Sequence, residues 1–180
     1  MQRRIALIVD GYNVIRNNER YRFDGQDDWS SEDAWNKARQ TLVSDAALLA
    51  RDGYERCTVV FDGAGNAAST GQAHEVAGID VVFSPSGTSA DSVIEKLAHE
   101  AREAGLEVVV VSSDYTIQTT VFGGGVTRMS ALGFATASDA GEQEWHEQAR
   151  EAAGGKRTLG SRIGADALSK LQQMLEEKSS

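Results

Sequence analysis

Ile5-Ala6-Leu7-Ile8-Val9, followed by Asp10-Gly11-Tyr12-Asn13, is the stretch that decides the fold of this chain. Five apolar residues in a row are too few for a buried helix. Ile5, Ile8 and Val9 are β-branched, which predicts a strand buried on both faces. The run stops at an acid and a glycine. Open α/β sheets place their ligands in the crevice beyond the carboxyl ends of the strands, and Asp10 falls there. The pattern recurs where Val59-Val60-Phe61 leads into Asp62, and where Val108 to Val111 leads through Ser112 and Ser113 into Asp114. Thr88-Ser89-Ala90-Asp91 opens a helix that presents a fourth acid at its start.

Working outward, Ser31 with Glu32 and Asp33 predicts a helix start. Ala34, Ala38, Leu42, Ala46, Leu49 and Ala50 then share one face, and Asp52-Gly53 closes the helix. Further strands are expected at 58–61, 79–83 and 107–111, with a short one around 126–129. Gly63 to Gly71 reads as a small-residue loop. The helix opened by Thr88 repeats Ala90, Val93, Ile94, Leu97, Ala98 and Ala101 at helical spacing. Tyr115 to Phe122 reads as helical, Gly123-Gly124-Gly125 as a break, and Ser130 as the start of a helix running to about Ala153. This alternation predicts an α/β fold with a central parallel sheet of four or five strands, covered on both faces. One domain over residues 1–153 is expected. Gly154-Gly155 is a hinge, and a C-terminal helix over 165–177 packs on or extends from the same domain.

The chain has 180 residues, 41% hydrophobic and 25% charged, enough for one full core without disulfide or structural metal. The single cysteine, Cys57, precedes a strand and reads as a buried, inert thiol. The three histidines are far apart in sequence, which excludes a zinc cluster. No apolar run spans a membrane or forms a signal peptide, so a cytoplasmic protein is expected. The net charge of −9 counts mildly against a nucleic-acid partner, unless part of it is gathered at a cation site.

Each acid has an ordinary structural explanation. Asp10-Gly11 and Asp62-Gly63 are turn dipeptides, Asp114 suits a helix cap, and Asp91 stands three residues after Thr88, the offset of a capping box. Together they weigh differently. Three acids end three strands on one sheet edge, and the helix of Asp91 starts from that edge. Clustered carboxylates raise one another's pKa, and a divalent cation offsets the repulsion. Oxygen ligands without His or Cys point to Mg²⁺ or Mn²⁺. Glu95 lies one turn beyond Asp91, and a solvated face accounts for it better than a fifth ligand. Asn13 has three readings: a cap, an orienter of Asp10, or a holder of metal-bound water. Arg16, Arg20 and Arg22, interleaved with Tyr21, Phe23 and Trp29, suit the guiding of a nucleic-acid backbone. An ordinary packed loop accounts for them equally well. An aspartyl phosphatase wants a second acid where Tyr12 stands. No phosphate-binding G-x-x-x-x-G-K-[ST], dinucleotide G-x-G-x-x-G or hydrolase G-x-S-x-G motif is present.

Four blocks in order carry a family likeness. Ile8 to Ile15, Val59 to Asp62, Thr88 to Asp91 with Glu95-Lys96-Leu97, and Ser112 to Gln118 resemble the NYN branch of the PIN-like nucleases, specifically its YacP-like bacterial members. The resemblance runs from Ile5 to about Ser130. It implies a three-layer α/β/α PIN-like fold, a Mg²⁺ or Mn²⁺ site, and endoribonuclease activity. It also implies Asp10, Asp91 and Asp114 as the metal acids, with Asn13 and Asp62 beside them.

On residues and resemblance together, the expected function is metal-dependent cleavage of RNA, single-stranded or messenger, by activated water. Asp10, Asp91, Asp114 and Asn13 are the expected catalytic residues, and Asp10, Asp62, Asp91 and Asp114 the expected ligands. Arg16, Arg20 and Arg22 are the expected RNA contacts. Some relatives act on mRNA at the ribosome. Here the region after Ser130 carries Asp139, Glu142, Glu144, Glu147 and Glu151 against Arg150, with only Lys156, Arg157 and Arg162 beyond, which gives a ribosomal partner little support. The rivals are a catalytically silent PIN-like module that binds RNA or protein, and a metal-dependent phosphatase.

Overall fold

The computed structural model describes residues 4–22, 31–51, 53–64, 69–114, 126–144, 146 and 147. In chain order the elements are β1 (Ile5–Asp10), α1 (Gly11–Arg16), a 3-10 turn (Glu19–Tyr21), α2 (Glu32–Ala50), β2 (Arg56–Phe61), β3 (Ala73–Val76), β4 (Ile79–Phe83), α3 (Ala90–Glu103), β5 (Glu107–Val111) and β6 (Val126–Met129). A further helix, α4, covers 131–144. The chain divides into two compact units, Met1–Gly141 and Glu142–Ser180. The described residues of the second, 142–144, 146 and 147, are helical. The expected helix at Tyr115–Phe122, the glycine run after it, Asp52, Phe23, Trp29 and everything expected beyond residue 147 lie outside the described residues.

One mixed sheet runs in the order β3-β4-β2-β1-β5-β6. β1 is central and parallel to both neighbours, with Ala6 opposite Arg56 on one side and Ile5 opposite Glu107 on the other. The chain places β2 and β4 on one side of β1 and then crosses to β5 on the other, so the strand order reverses at β1 and opens a crevice at its carboxyl end. The sheet has one strand more than expected. β3 pairs antiparallel with β4 across the two-residue turn Ala77-Gly78. Both turn residues have positive φ, 53° and 83°, which matches the right-handed twist of the flanking strands.

Alternation along the strands builds a core on each face. Leu7, Val9, Val59, Phe61, Val81 and Val111 face α1 and α2, where Ala38, Leu42 and Ala46 cover them. The small alanines let α2 lie close to the sheet. Ala6, Ile8, Val60, Val108 and Val110 face α3, where Ala90, Ile94, Ala98 and Ala101 supply the expected stripe. The result is the expected three-layer α/β/α arrangement. Cys57 is buried within β2, where burial pushes its thiol up to about 12, as suits an inert residue.

Candidate metal centre and strand-end site

Asp10 is the last residue of β1 and also the N-cap of α1, its Oδ1 accepting from the Asn13 backbone N–H at 3.3 Å. The dipeptide Asp10-Gly11 is therefore a cap rather than a turn. Gly11 has no positive φ. What it supplies is room, since a Cβ there would stand 2.3 Å from the Phe61 ring. Gly63 does the same after Asp62, where a Cβ would meet the Ser84 carbonyl oxygen at 2.1 Å.

Asp62 follows β2. Its Oδ1 accepts from the Ala64 N–H at 2.8 Å and from the Ser84 hydroxyl at 3.4 Å. Asp91 corrects an expectation. The Thr88–Asp91 capping box does not form, because Thr88 N–H closes a turn onto the Pro85 carbonyl and α3 starts two residues later. Ser89 is the N-cap, its Oγ accepting from Ser92 N–H at 3.2 Å. Asp91 is thus relieved of capping and stands in the first turn of α3, exposed at the edge of the site.

The loop that carries Asp114 is held by several hydrogen bonds. Ser113 N–H donates to Asn13 Oδ1 at 2.7 Å, and Asp114 N–H donates to Ser112 Oγ at 3.1 Å. The Ser112 hydroxyl donates to Asp10 Oδ2 at 3.3 Å. Arg128 on β6 donates from Nε to the Ser112 carbonyl at 3.0 Å. Asn13 therefore ties α1 to the β5 loop. Its side-chain oxygen is occupied there, which favours an orienting role over the holding of water.

Asp10, Asp62, Asp91 and Asp114 line one cavity of about 400 Å³, together with Tyr12, Asn13 and Arg16. Their charges are felt mutually. Asp10 is 8% exposed, and its carboxyl is raised to about 6, by burial first and then by Asp91 and Asp114, against hydrogen bonds from Asn13 and Ser112. Asp91 is raised as well, by burial, then by Asp114 and Asp62. In kind these hard oxygens fit Mg²⁺ or Mn²⁺. A cation is also what would relieve a buried carboxyl whose ionisation its neighbours oppose. Among the described residues no three acids stand close enough together to wrap a single ion. Glu95 is exposed and outside this set.

The arginines separate. Arg16 lines the cavity, with its guanidinium 5.8 Å from the Tyr12 ring centre and 5.7 Å from that of Trp35. Arg22 is exposed. Arg20 corrects the expectation of a solvent-facing RNA contact. It forks onto the buried Asp45 at 2.7 and 3.0 Å and also pairs with Asp139, while Tyr21 donates its hydroxyl to the same Asp45. Residues that sequence reasoning missed are Ser84 and Ser112, each first after a strand, and Arg128. For the two serines only that strand-end position could have marked them; Arg128 lies within β6 and carries no such signal.

The model of the YacP-like NYN domain matches residues 7–176, nearly the whole chain. The chain belongs to the YacP-like NYN family. It is 31% identical over 134 residues, 69% of each chain, to the Bacillus subtilis (strain 168) protein named "Uncharacterized protein YacP". The crystal structure of Rae1 (YacP) from Bacillus subtilis superposes with a TM-score of 0.66 at 26% identity, covering 93% of this chain and 92% of that one. A point-mutant structure of Rae1 from the same organism gives 0.65 at 28%, covering 85% and 84%. The YacP-like resemblance read from the four blocks is borne out, and so is the PIN-like fold. Among the described residues no helix is long and apolar enough to cross a membrane.

Proposed function

We propose that this YacP-like NYN protein is an endoribonuclease dependent on Mg²⁺ or Mn²⁺. The observation that carries the proposal is the gathering of four aspartates around one cavity at the switch point of the sheet, with Asp10 buried and its ionisation opposed by Asp91 and Asp114. Asp10, Asp91, Asp114 and Asp62 would share the metal around this cavity, some bound directly and the others through water, since no three of these described acids stand close enough to wrap one ion. When bound, the ion supplies a water of lowered pKa and positive charge beside the leaving oxygen.

The chain's own residues do the positioning. Asn13 and Ser112 fix Asp10 and Asp114 relative to each other through the hydrogen bonds given above. Arg16, which lines the same cavity, would hold a phosphate of the backbone. Among the described residues no histidine lines the cavity, and the hydrolytic route to a 5′-phosphate and 3′-hydroxyl is the one proposed.

Purified protein with Mn²⁺ should cleave single-stranded RNA, fall silent with a chelator, and leave ends of that polarity on mapping. Binding of RNA without cleavage would make it a silent module. Turnover of small phosphate esters but not of RNA would make it a phosphatase.

A further inference from the structure

A second cavity, of about 430 Å³, lies between α2 and the β3–β4 hairpin. Val43, Val81 and Phe83 give it apolar walls. Asn36, Gln40 and Ser44, all exposed residues of α2, ring it with polar groups. It adjoins the acid cavity through one pair of residues. Tyr12 lines the acid cavity, Arg39 lines the second, and Arg39 Nη1 donates to the Tyr12 hydroxyl at 2.6 Å. Beneath them runs a ladder of aromatic rings: Tyr12 to Phe61 at 5.1 Å, and Phe61 to Phe83 at 5.3 Å and nearly parallel, at 28°.

We infer that this cavity is a nucleobase subsite, seating a base of the RNA strand beside the nucleotide whose phosphodiester is cut. The inference rests on the ribonuclease proposal and extends it to how the strand is held. Shape and chemistry both favour a base. A flat heteroaromatic ring stacks on the partly exposed Phe83, and its donor and acceptor edge meets the side chains of Asn36 and Gln40. The charge between the two cavities favours the strand that joins them. In a chain of net charge −9, two guanidiniums flank the Tyr12 ring, Arg16 at 5.8 Å and Arg39 at 6.0 Å from its centre. Glu32, the anion that Arg39 holds, is three-quarters exposed, and so is readily exchanged for a phosphate. A second copy of this acidic chain, or an acidic peptide, finds no such continuity with the acid cavity.

The test uses the full chain in an Asp114→Asn background that binds without cutting. Its ligands are short single-stranded RNAs in which one abasic nucleotide is walked along the strand, read by fluorescence anisotropy with Mg²⁺ present. One abasic position should weaken binding about tenfold, the scale of one lost base stack. Adding Ser44→Phe, which fills the slot from an exposed helix position, should weaken the unmodified strand by the same factor and abolish the sensitivity to that position. Gln40→Ala, which leaves the helix undisturbed, should change the preference among bases at that one position. If Ser44→Phe and Gln40→Ala bind every strand as the parent does, the subsite is overturned while the ribonuclease proposal stands. If Ser44→Phe instead changes the oligomeric state, the cavity belongs to a second copy and the subsite is again overturned. If the parent binds none of the strands, the ribonuclease proposal falls and takes the subsite with it.

Discussion

Asp10 must ionise inside the protein with two other carboxylates facing it, and that sets a pH dependence of stability. Its folded-state pKa of about 6 lies above that of an unfolded aspartate, about 3.9. Protonated Asp10 therefore stabilises the native state fully below about pH 4, and this contribution is lost as pH rises through about 6. Relative to Asp10→Asn, which keeps a good N-cap, the parent should lose about 2 kcal/mol between pH 4 and pH 7. Urea unfolding of both proteins in chelator at those two pH values checks it, and parallel pH profiles would remove the carboxyl strain. With Mn²⁺ at neutral pH the parent should melt higher than in chelator, and Asp10→Asn should lose that increment. Asp91 gives a second expectation. With the cap assigned to Ser89, Asp91→Asn should leave metal-free stability equal or higher, because repulsion from Asp114 and Asp62 is relieved, while cleavage disappears. A destabilised but active variant, measured by thermal melting and RNA turnover, would make it an ordinary first-turn acid. The four acids were legible in the sequence because each stands within three residues of the end of a hydrophobic run or opens a helix. Ser84, Ser112 and Arg128 were not, since a serine just after a strand and an arginine within one stand out only once the chain is folded. Arg20 misled for the opposite reason: its partner Asp45 is 25 residues away, on a helix face where a buried acid breaks the apolar stripe.

Among the elements, α3 could be read almost residue by residue, because its alternating small and large apolar positions match the observed buried face. β3 could not. Ala73-His74-Glu75-Val76 is exposed throughout and has no two-residue hydrophobic period, and its turn, Ala77-Gly78, lacks the Asn or Asp that marks a tight hairpin. Ala77 holds a left-handed conformation that costs an L-residue about 1–2 kcal/mol. Ala77→Asn should therefore raise stability by about 1 kcal/mol, read from denaturant midpoints with an unchanged slope. The Asp45 fork joins the 3-10 turn to α2. Asp45→Ala would leave Arg20 without its buried carboxylate and Tyr21 without its acceptor. A loss of about 3–5 kcal/mol is expected, measured the same way, with the strand-end cavity untouched.

For the molecule as a whole, the net charge of −9 opposes the two cations proposed to meet RNA, and salt separates the two effects. Were Arg16 and Arg39 the two cations meeting phosphate, the slope of log affinity against log salt would be about −1.4 for single-stranded RNA. Arg16→Ala should flatten it by about 0.7. An unchanged slope in the non-cutting background would place the docking surface elsewhere. The central position of β1 has a consequence of another kind, in the order of assembly. β1 is made before either of its partners and pairs with β2 about 50 residues later and with β5 about 100 residues later. Its second edge stays open until Val111 has been synthesised, and the loop that aligns Asp114 with Asp10 comes only after that. Such distant pairings make folding slow relative to helical proteins of the same size. They also leave the acid cavity incomplete until the segment that carries Asp114 has joined β1.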